Sequence, residues 1–196
     1  METAIYKPDN WLDPLDWAQV FTEPYRPLEI DVGCGKGGFL LWAAGTHPET
    51  NYLGVERQLV RLRKVDKKIL TRKLPNVRLL RIEAGYLVSK LIPSRSVDAY
   101  HIFFPDPWPK RRHQANRLFQ PAFVADLVRT LKPGGAVNVA TDALEYFAQI
   151  QAVMNASGRF KEVPADVLPE EAQTEFEKLF LAQGQKIGRA KFLVQS

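Results

Sequence analysis

"LEIDVGCGKGGFLLWAAGTHP", residues 28–48, passes from an apolar run through a cluster of glycines into a second apolar run. The first six residues read as a buried strand, and "KGGFLLWAAGTHP" as a loop and helix ended by Gly45 and Pro48. The same alternation continues downstream. "NYLGVE" (51–56) predicts a second strand, followed by a basic helix from about Gln58 to Lys73. "NVRLLRIE" (76–83) predicts a third strand, with a short helix around "YLVSKL", and "SVDAYHIFF" (96–104) a fourth. "FQPAFVADLVRTL" reads as a helix, and "KPGG" turns into a fifth strand, "AVNVATD" (136–142). A helix around "ALEYFAQIQAVMN" follows. "EVPADVLPEEAQ" (162–173) reads as an acidic surface loop, and "KIGRAKFLVQ" as a last, antiparallel edge strand. Strands alternating with helices imply an α/β fold: a parallel sheet covered on both faces. Ligands in such sheets sit at the carboxyl ends of the strands, near the point where strand order reverses.

A length of 196 residues suits one domain, read as residues 28–196, preceded by a Pro- and Trp-punctuated N-terminal extension, residues 1–27. The formal charge of +5 is a mild excess that signals a nucleic-acid partner only where the cations cluster. Cys34 is the single cysteine, which excludes an intramolecular disulfide and a CxxC metal knuckle; no metal is expected. The first residues are polar and acidic, unlike a signal peptide, and no stretch approaches the roughly 20 apolar residues that span a bilayer. The expectation is a cytoplasmic protein with no membrane association and no obligate protein partner.

The glycines satisfy two patterns at once. Gly33, Gly35 and Gly38 fit G-x-G-x-x-G, which suggests a dinucleotide; Gly33, Gly35 and Gly37 fit G-x-G-x-G, which suggests S-adenosylmethionine. The acids at the strand ends separate them. Glu56 closes the second strand, where a carboxylate accepts from ribose hydroxyls in either case. Asp31, just before the glycines, repels a pyrophosphate but suits the cationic amino-acid end of S-adenosylmethionine. Glu83 can accept from an adenine amine, with Ala84 leaving room for the ring. Any one of these acids alone reads as a solvated strand end; together, beside a glycine loop, they favour the methyl donor.

The fourth strand runs into "FFPDPWPKRRHQANR", residues 103–117. Pro105 and Pro107 fix the backbone on either side of Asp106, which projects at the carboxyl edge of the sheet. Trp108 offers a plane for a nucleobase, worth about 1–3 kcal/mol in single-stranded recognition. Lys110, Arg111, Arg112 and Arg117 follow where phosphates would arrive, with His113 as a phosphate or solvent contact rather than a proton carrier.

"FFPDPWPKRRH" closely resembles the signature of the bacterial tRNA (guanine-N7-)-methyltransferase family. The resemblance extends from Leu28 onward through the D-V-G-C-G-K-G loop, "YLGVE", "LLRIEA", "LKPGG…ATD" and the late "TEFEKLFLAQGQKIGRA". It implies a Rossmann-like class I methyltransferase fold: a mostly parallel seven-stranded sheet with helices on both faces. It also implies S-adenosyl-L-methionine as cofactor, tRNA as partner, and methylation of a guanine N7 expected in the variable loop. By position it implies cofactor contacts at Asp31, Glu56, Glu83 and Asp106, with Asp106 catalytic. It further implies guanosine or tRNA contacts at Lys110, Asp142 and the Thr174–Glu177 stretch. Without it, "TEFE" reads as a helix start, Thr174 capping with Glu177 three residues later.

The sequence departs from the family after His113, where Gln114, Ala115 and Asn116 replace a denser basic run, and its leader before the first strand is shorter. Lost cations weaken RNA affinity and flatten its salt dependence. The basic residues of region 57–81, among them Arg61, Lys64 and Lys68 on one helical face, read as a solvated face or as compensation. Two other readings stand beside N7 methylation. "DPWP" loosely resembles the motif of exocyclic-amine methyltransferases, which the Lys110–Arg117 run disfavours. A non-catalytic RNA-binding relative is disfavoured by intact Asp31, Glu56, Glu83 and Asp106.

Overall fold

The computed structural model describes residues 2–195. Seven strands form one sheet: β1 (Leu28–Val32), β2 (Asn51–Val55), β3 (Val77–Leu80), β4 (Val97–Phe103), β5 (Leu131–Thr141), β6 (Phe160–Val163) and β7 (Gly188–Val194). Their spatial order is β3-β2-β1-β4-β5-β7-β6. The first five are parallel, and β7 runs antiparallel between β5 and β6. Strand order therefore reverses between β1 and β4, which pair through Glu29–Ala99, Ile30–Tyr100 and Asp31–His101. The helices are α1 (Trp17–Val20), α2 (Gly38–Thr46), α3 (Leu59–Arg72), the single turn α4 (Ala84–Tyr86), α5 (Pro121–Thr130), α6 (Leu144–Ala156) and α7 (Glu175–Ala182).

Helices cover both faces, as the alternation implies. On one face Leu53, Val55, Tyr100 and Val137 pack with Phe123 and Leu127 of α5 and Tyr146 and Ile150 of α6. On the other, Tyr52 and Leu79 pack with Leu40 and Leu41 of α2 and Leu62, Val65 and Ile69 of α3. The last three are the apolar face read from the helical spacing, and all are fully buried. Among the described residues no helix is long and apolar enough to cross a membrane.

Two details differ from expectation, and a third was left open by the sequence. β7 is antiparallel but interior; the edge is β6, in a stretch whose charged residues hide it. Lys161 and Glu162 are exposed and only Phe160 is buried, which suits an edge strand protected by charge. β3 stops at Leu80, because β2 ends at Val55 and the last bond between them is Glu56 N–H to Leu80 O, 3.2 Å. The residues before β1 pack on the core. Tyr6 N donates to Leu79 O (2.8 Å), Leu79 N to Ala4 O (2.9 Å), and Ala4, Leu15, Val20 and Phe21 are buried.

Gly54 sets how closely α2 approaches the sheet. A Cβ there would lie 2.5 Å from Leu40 Cδ2 and 2.8 Å from Leu79 Cδ2, far inside van der Waals contact. Gly54→Ala is expected to cost about 1–3 kcal/mol by overpacking, measured as a lower denaturant midpoint. An unchanged midpoint would mean that α2 does not sit this close.

Candidate active site

The glycine turn joins β1 to α2 and hooks onto the end of β2, with Gly33 N and Cys34 N both donating to Val55 O (2.8 and 2.9 Å). Gly33, Gly35 and Gly37 have φ of 81°, 55° and 78°, where side chains other than glycine are strained. Their surroundings differ. A Cβ on Gly33 would meet nothing within 4 Å, and one on Gly35 only Gly33 O at 3.8 Å. On Gly37 it would lie 2.8 Å from Val65 Cγ1. Gly33 and Gly35 thus line open space, whereas Gly37 is glycine so that α2 can seat against α3.

Below this turn lie two acids. Asp31, at 4% exposure, has its carboxyl pushed up to about 7, first by burial and then by the Glu56 carboxylate. Among the described residues no hydrogen bond or cation offsets the shift. The buried Cys34 thiol is pushed well up by its burial and by both carboxylates, so the three groups share one corner. Glu56 is engaged: it accepts from Gln58 N (2.7 Å), and Arg61 Nη1 stands 3.8 Å away. Glu83 does not end a strand. It caps α4, its two oxygens accepting from Gly85 N (2.8 Å) and Tyr86 N (2.7 Å), and Ala84 begins that turn half-buried. Each Glu83 oxygen keeps a lone pair for a further donor.

Across the switch point, β4 runs into the proline turn. Asp106 is exposed, and the backbone bends through positive φ on either side of it, 53° at Phe104 and 42° at Trp108. Such conformations cost about 1–3 kcal/mol each in ordinary residues and gather at functional sites. Lys110, Arg111 and Arg112 are exposed; half-buried His113 packs edge-on to Trp108 with ring centroids 5.9 Å apart, and accepts from Arg112 Nε (3.2 Å).

Arg117 does not join that basic face. It is 2% exposed, with its guanidinium donating to Pro107 O and Glu145 and lying against the Tyr146 ring. The expectation of an RNA contact at Arg117 is corrected: its donors are spent inside the protein.

Asp142 follows β5 directly and is half-buried at the same edge. The late "TEFE" segment reaches the glycine turn. A Cβ on Gly38 would lie 3.7 Å from Thr174 Cα, and Lys36 forms an ion pair with Glu175. Thr174 caps α7, accepting from Glu177 N at 3.1 Å. Glu177 is turned inward at 2% exposure and paired with Arg189, so the expected substrate contact at Glu177 is not available in this arrangement. Sequence reading missed the aromatic cover beside it. Phe180 and Phe176 of α7 approach Phe104 at 5.7 and 6.5 Å between centroids, and their spacing of four was the available signal.

This strand order, with a glycine turn at the switch point, is that of the Rossmann-like class of α/β folds. Among solved structures, the chain is similar to the 16S rRNA methyltransferase KamB, with TM-score 0.67 at 16% identity over 94% of this chain and 95% of that one. It is also similar to an rRNA methylase from Streptococcus thermophilus, with TM-score 0.59 at 13% identity over 87% and 88%. Residues 25–190 match the family described as "Putative methyltransferase". The chain is 34% identical to the tRNA (guanine-N(7)-)-methyltransferase of Syntrophotalea carbinolica over 91% of this chain and 78% of that protein. It is 33% identical to the enzyme of that name from Ureaplasma urealyticum over 94% and 87%. The chain belongs to the tRNA (guanine-N7-)-methyltransferase family.

The acid corner has a consequence for stability. The native pKa of Asp31 lies above its ordinary 3.8. Between about pH 4 and pH 7 the folded state therefore holds a proton that the unfolded chain has lost, and stability falls as pH rises through that window. Asp31→Asn removes the penalty. We expect a gain of up to about 4 kcal/mol at pH 8, shrinking toward zero near pH 4, in denaturant unfolding at the two pH values. A variant no more stable than its parent at pH 8 would show that the carboxylate is compensated after all.

Proposed function

We propose that the protein transfers a methyl group from S-adenosylmethionine to N7 of a guanine in tRNA. The observation that carries the reading is Asp106: an exposed carboxylate held between two prolines at the carboxyl edge of β4, across the switch point from the open glycine turn, with exposed Lys110, Arg111 and Arg112 beyond it.

The residues present fit this donor. Asp31 is a buried carboxyl group with no cation of its own, whose ionised form suits a ligand bearing an ammonium group. Gly33 and Gly35 leave open space where a side chain would intrude. Glu56 and Glu83 keep acceptor capacity for ribose hydroxyls and an adenine amine, beside half-buried Ala84. When bound, the donor supplies a methyl group already activated by its attachment to a sulfonium.

Guanine N7 carries a lone pair and no proton, so attack needs no general base. With the donor bound, the N7–methyl bond would form at the expense of the sulfonium's sulfur–methyl bond, whose electron pair would stay on sulfur while the positive charge passed to the base. The protein's share is alignment and charge. Asp106 and Asp142 are carboxylates of the substrate edge that can accept from guanine N1–H and the N2 amine, and they offset the charge the product acquires. Lys110, Arg112 and His113 meet phosphates, and Thr174 borders the glycine turn from the other side. A tRNA substrate implies a cytoplasmic enzyme.

The direct test incubates the protein with methyl-labelled donor and unmodified tRNA, then locates the label by borohydride–aniline cleavage. Cleavage at a labelled guanosine is expected; label on adenine or cytosine would refute N7 chemistry. Asp106→Ala should abolish turnover while donor affinity changes by no more than a few fold, as equilibrium binding would report. Loss of donor binding in that variant would remove the case for a role toward guanine.

Donor affinity should also depend on pH. A cationic ligand selects ionised Asp31, whose carboxyl sits at about 7 in the free protein. Binding is therefore expected to weaken about tenfold from pH 8 to pH 6, and to do so much less in Asp31→Asn. Calorimetry at the two pH values reads both.

A further inference from the structure

The Asp106 turn has an unusual support problem. Pro105, Pro107 and Pro109 have no N–H to donate, so the turn cannot be stapled through those amides. It also holds two ordinary residues, Phe104 and Trp108, at positive φ. A segment like this keeps one shape only if its surroundings impose it.

Arg117 supplies such a support. Its Nε donates to Pro107 O at 2.8 Å, the carbonyl of the residue that follows Asp106. Its Nη1 and Nη2 grip the Glu145 carboxylate at 3.1 and 2.7 Å, and Nη1 also reaches Gln149 Oε1. The guanidinium carbon lies 4.8 Å from the Tyr146 ring centroid. Glu145, Tyr146 and Gln149 all belong to α6, whose first turn starts two residues after Asp142. One planar fork thus binds the turn carrying one carboxylate and the helix that follows the other. Lysine, a point donor, cannot make the same set of bonds.

We propose that Arg117 is a positioning residue: it braces the Asp106 turn against the start of α6 and so fixes the spacing of Asp106 and Asp142 across the substrate. The proposal rests on the methyl-transfer reading above. Two features separate it from a general packing role. The fork ends on the turn's own carbonyl rather than on the sheet, and its charged partner Glu145 has a side chain 72% exposed, so the ion pair ties the turn to a surface position on α6 while the guanidinium face rests on the buried Tyr146 ring. Hydrogen bonding to Arg117 holds the Glu145 carboxyl below its usual range.

The test uses the full chain carrying Arg117→Lys and, separately, Glu145→Ala. Four quantities are read: kcat, the KM for tRNA, donor affinity, and hydrogen exchange of the amides in residues 104–110. For Arg117→Lys the expected result is a kcat lowered about 10- to 100-fold, KM and donor affinity within about threefold, and faster exchange in the turn. A folded Arg117→Lys variant with kcat within twofold of the parent overturns the proposal. So does a loss of kcat matched by an equal loss of donor affinity, the mark of general destabilisation. If Arg117→Lys does not fold, Glu145→Ala decides, since it removes only an exposed side chain and leaves Pro107 O and Gln149 to hold the buried guanidinium. A drop of about fivefold or more in kcat at an unchanged melting temperature upholds the brace, and a kcat within twofold overturns it. Should the parent protein fail to methylate guanine N7, the functional reading falls. The exchange measurement still judges the brace, which faster exchange in the variants upholds and unchanged exchange overturns.

Discussion

Asp31 is a buried carboxyl group beside another carboxylate, with no hydrogen bond or cation among the described residues to offset the cost of ionising it. Asp31 sits under the glycine turn with Glu56 as its neighbour, and burial and repulsion both favour its protonated form. A fold selected for stability alone would have no reason to keep it. On the proposed reading, the corner becomes favourable when a positive ligand enters. The surrounding structure serves that corner. β1 and β2 end together beneath it, the turn is anchored by two amides on Val55 O, and Gly37 lets α2 and α3 close behind it.

On the other side of the switch point the difficulty is geometric rather than electrostatic. Asp106 is exposed, so nothing about its solvation is strained; the strain lies in the backbone that presents it. Prolines reduce the number of shapes the turn can take, and Arg117 selects among those that remain. α7 then closes the site from a third direction, with Thr174 against Gly38 and Lys36 paired to Glu175. Residues from the start, middle and end of the chain therefore meet at one edge of the sheet.

Much of this was legible in the sequence because strand-end chemistry follows from local order. Asp31, Gly33, Gly35, Glu56, Asp106 and Asp142 fall where the alternation of strands and helices puts them. What could not be read locally depended on partners far away in sequence. Arg117 looks like one more cation in a basic run; only α6, folded back across it, turns it inward. Glu177 reads as a polar helix residue until β7 brings Arg189 beside it. β6 carries too little apolar character to announce itself, and Glu83 could be taken for a strand end because nothing in "LLRIE" shows where the neighbouring strand stops pairing.

On the proposed reading, the Asp31 carboxylate is held in reserve for a cationic ligand. This is tested most directly by following the Asp31 side chain by NMR as pH is varied, first in the free protein and then with S-adenosylmethionine bound. Titration near pH 7 is expected in the free protein, falling by at least about two pH units when the ligand supplies the missing charge. Titration in the ordinary carboxylate range in the free protein, unchanged on binding, would contradict that reading.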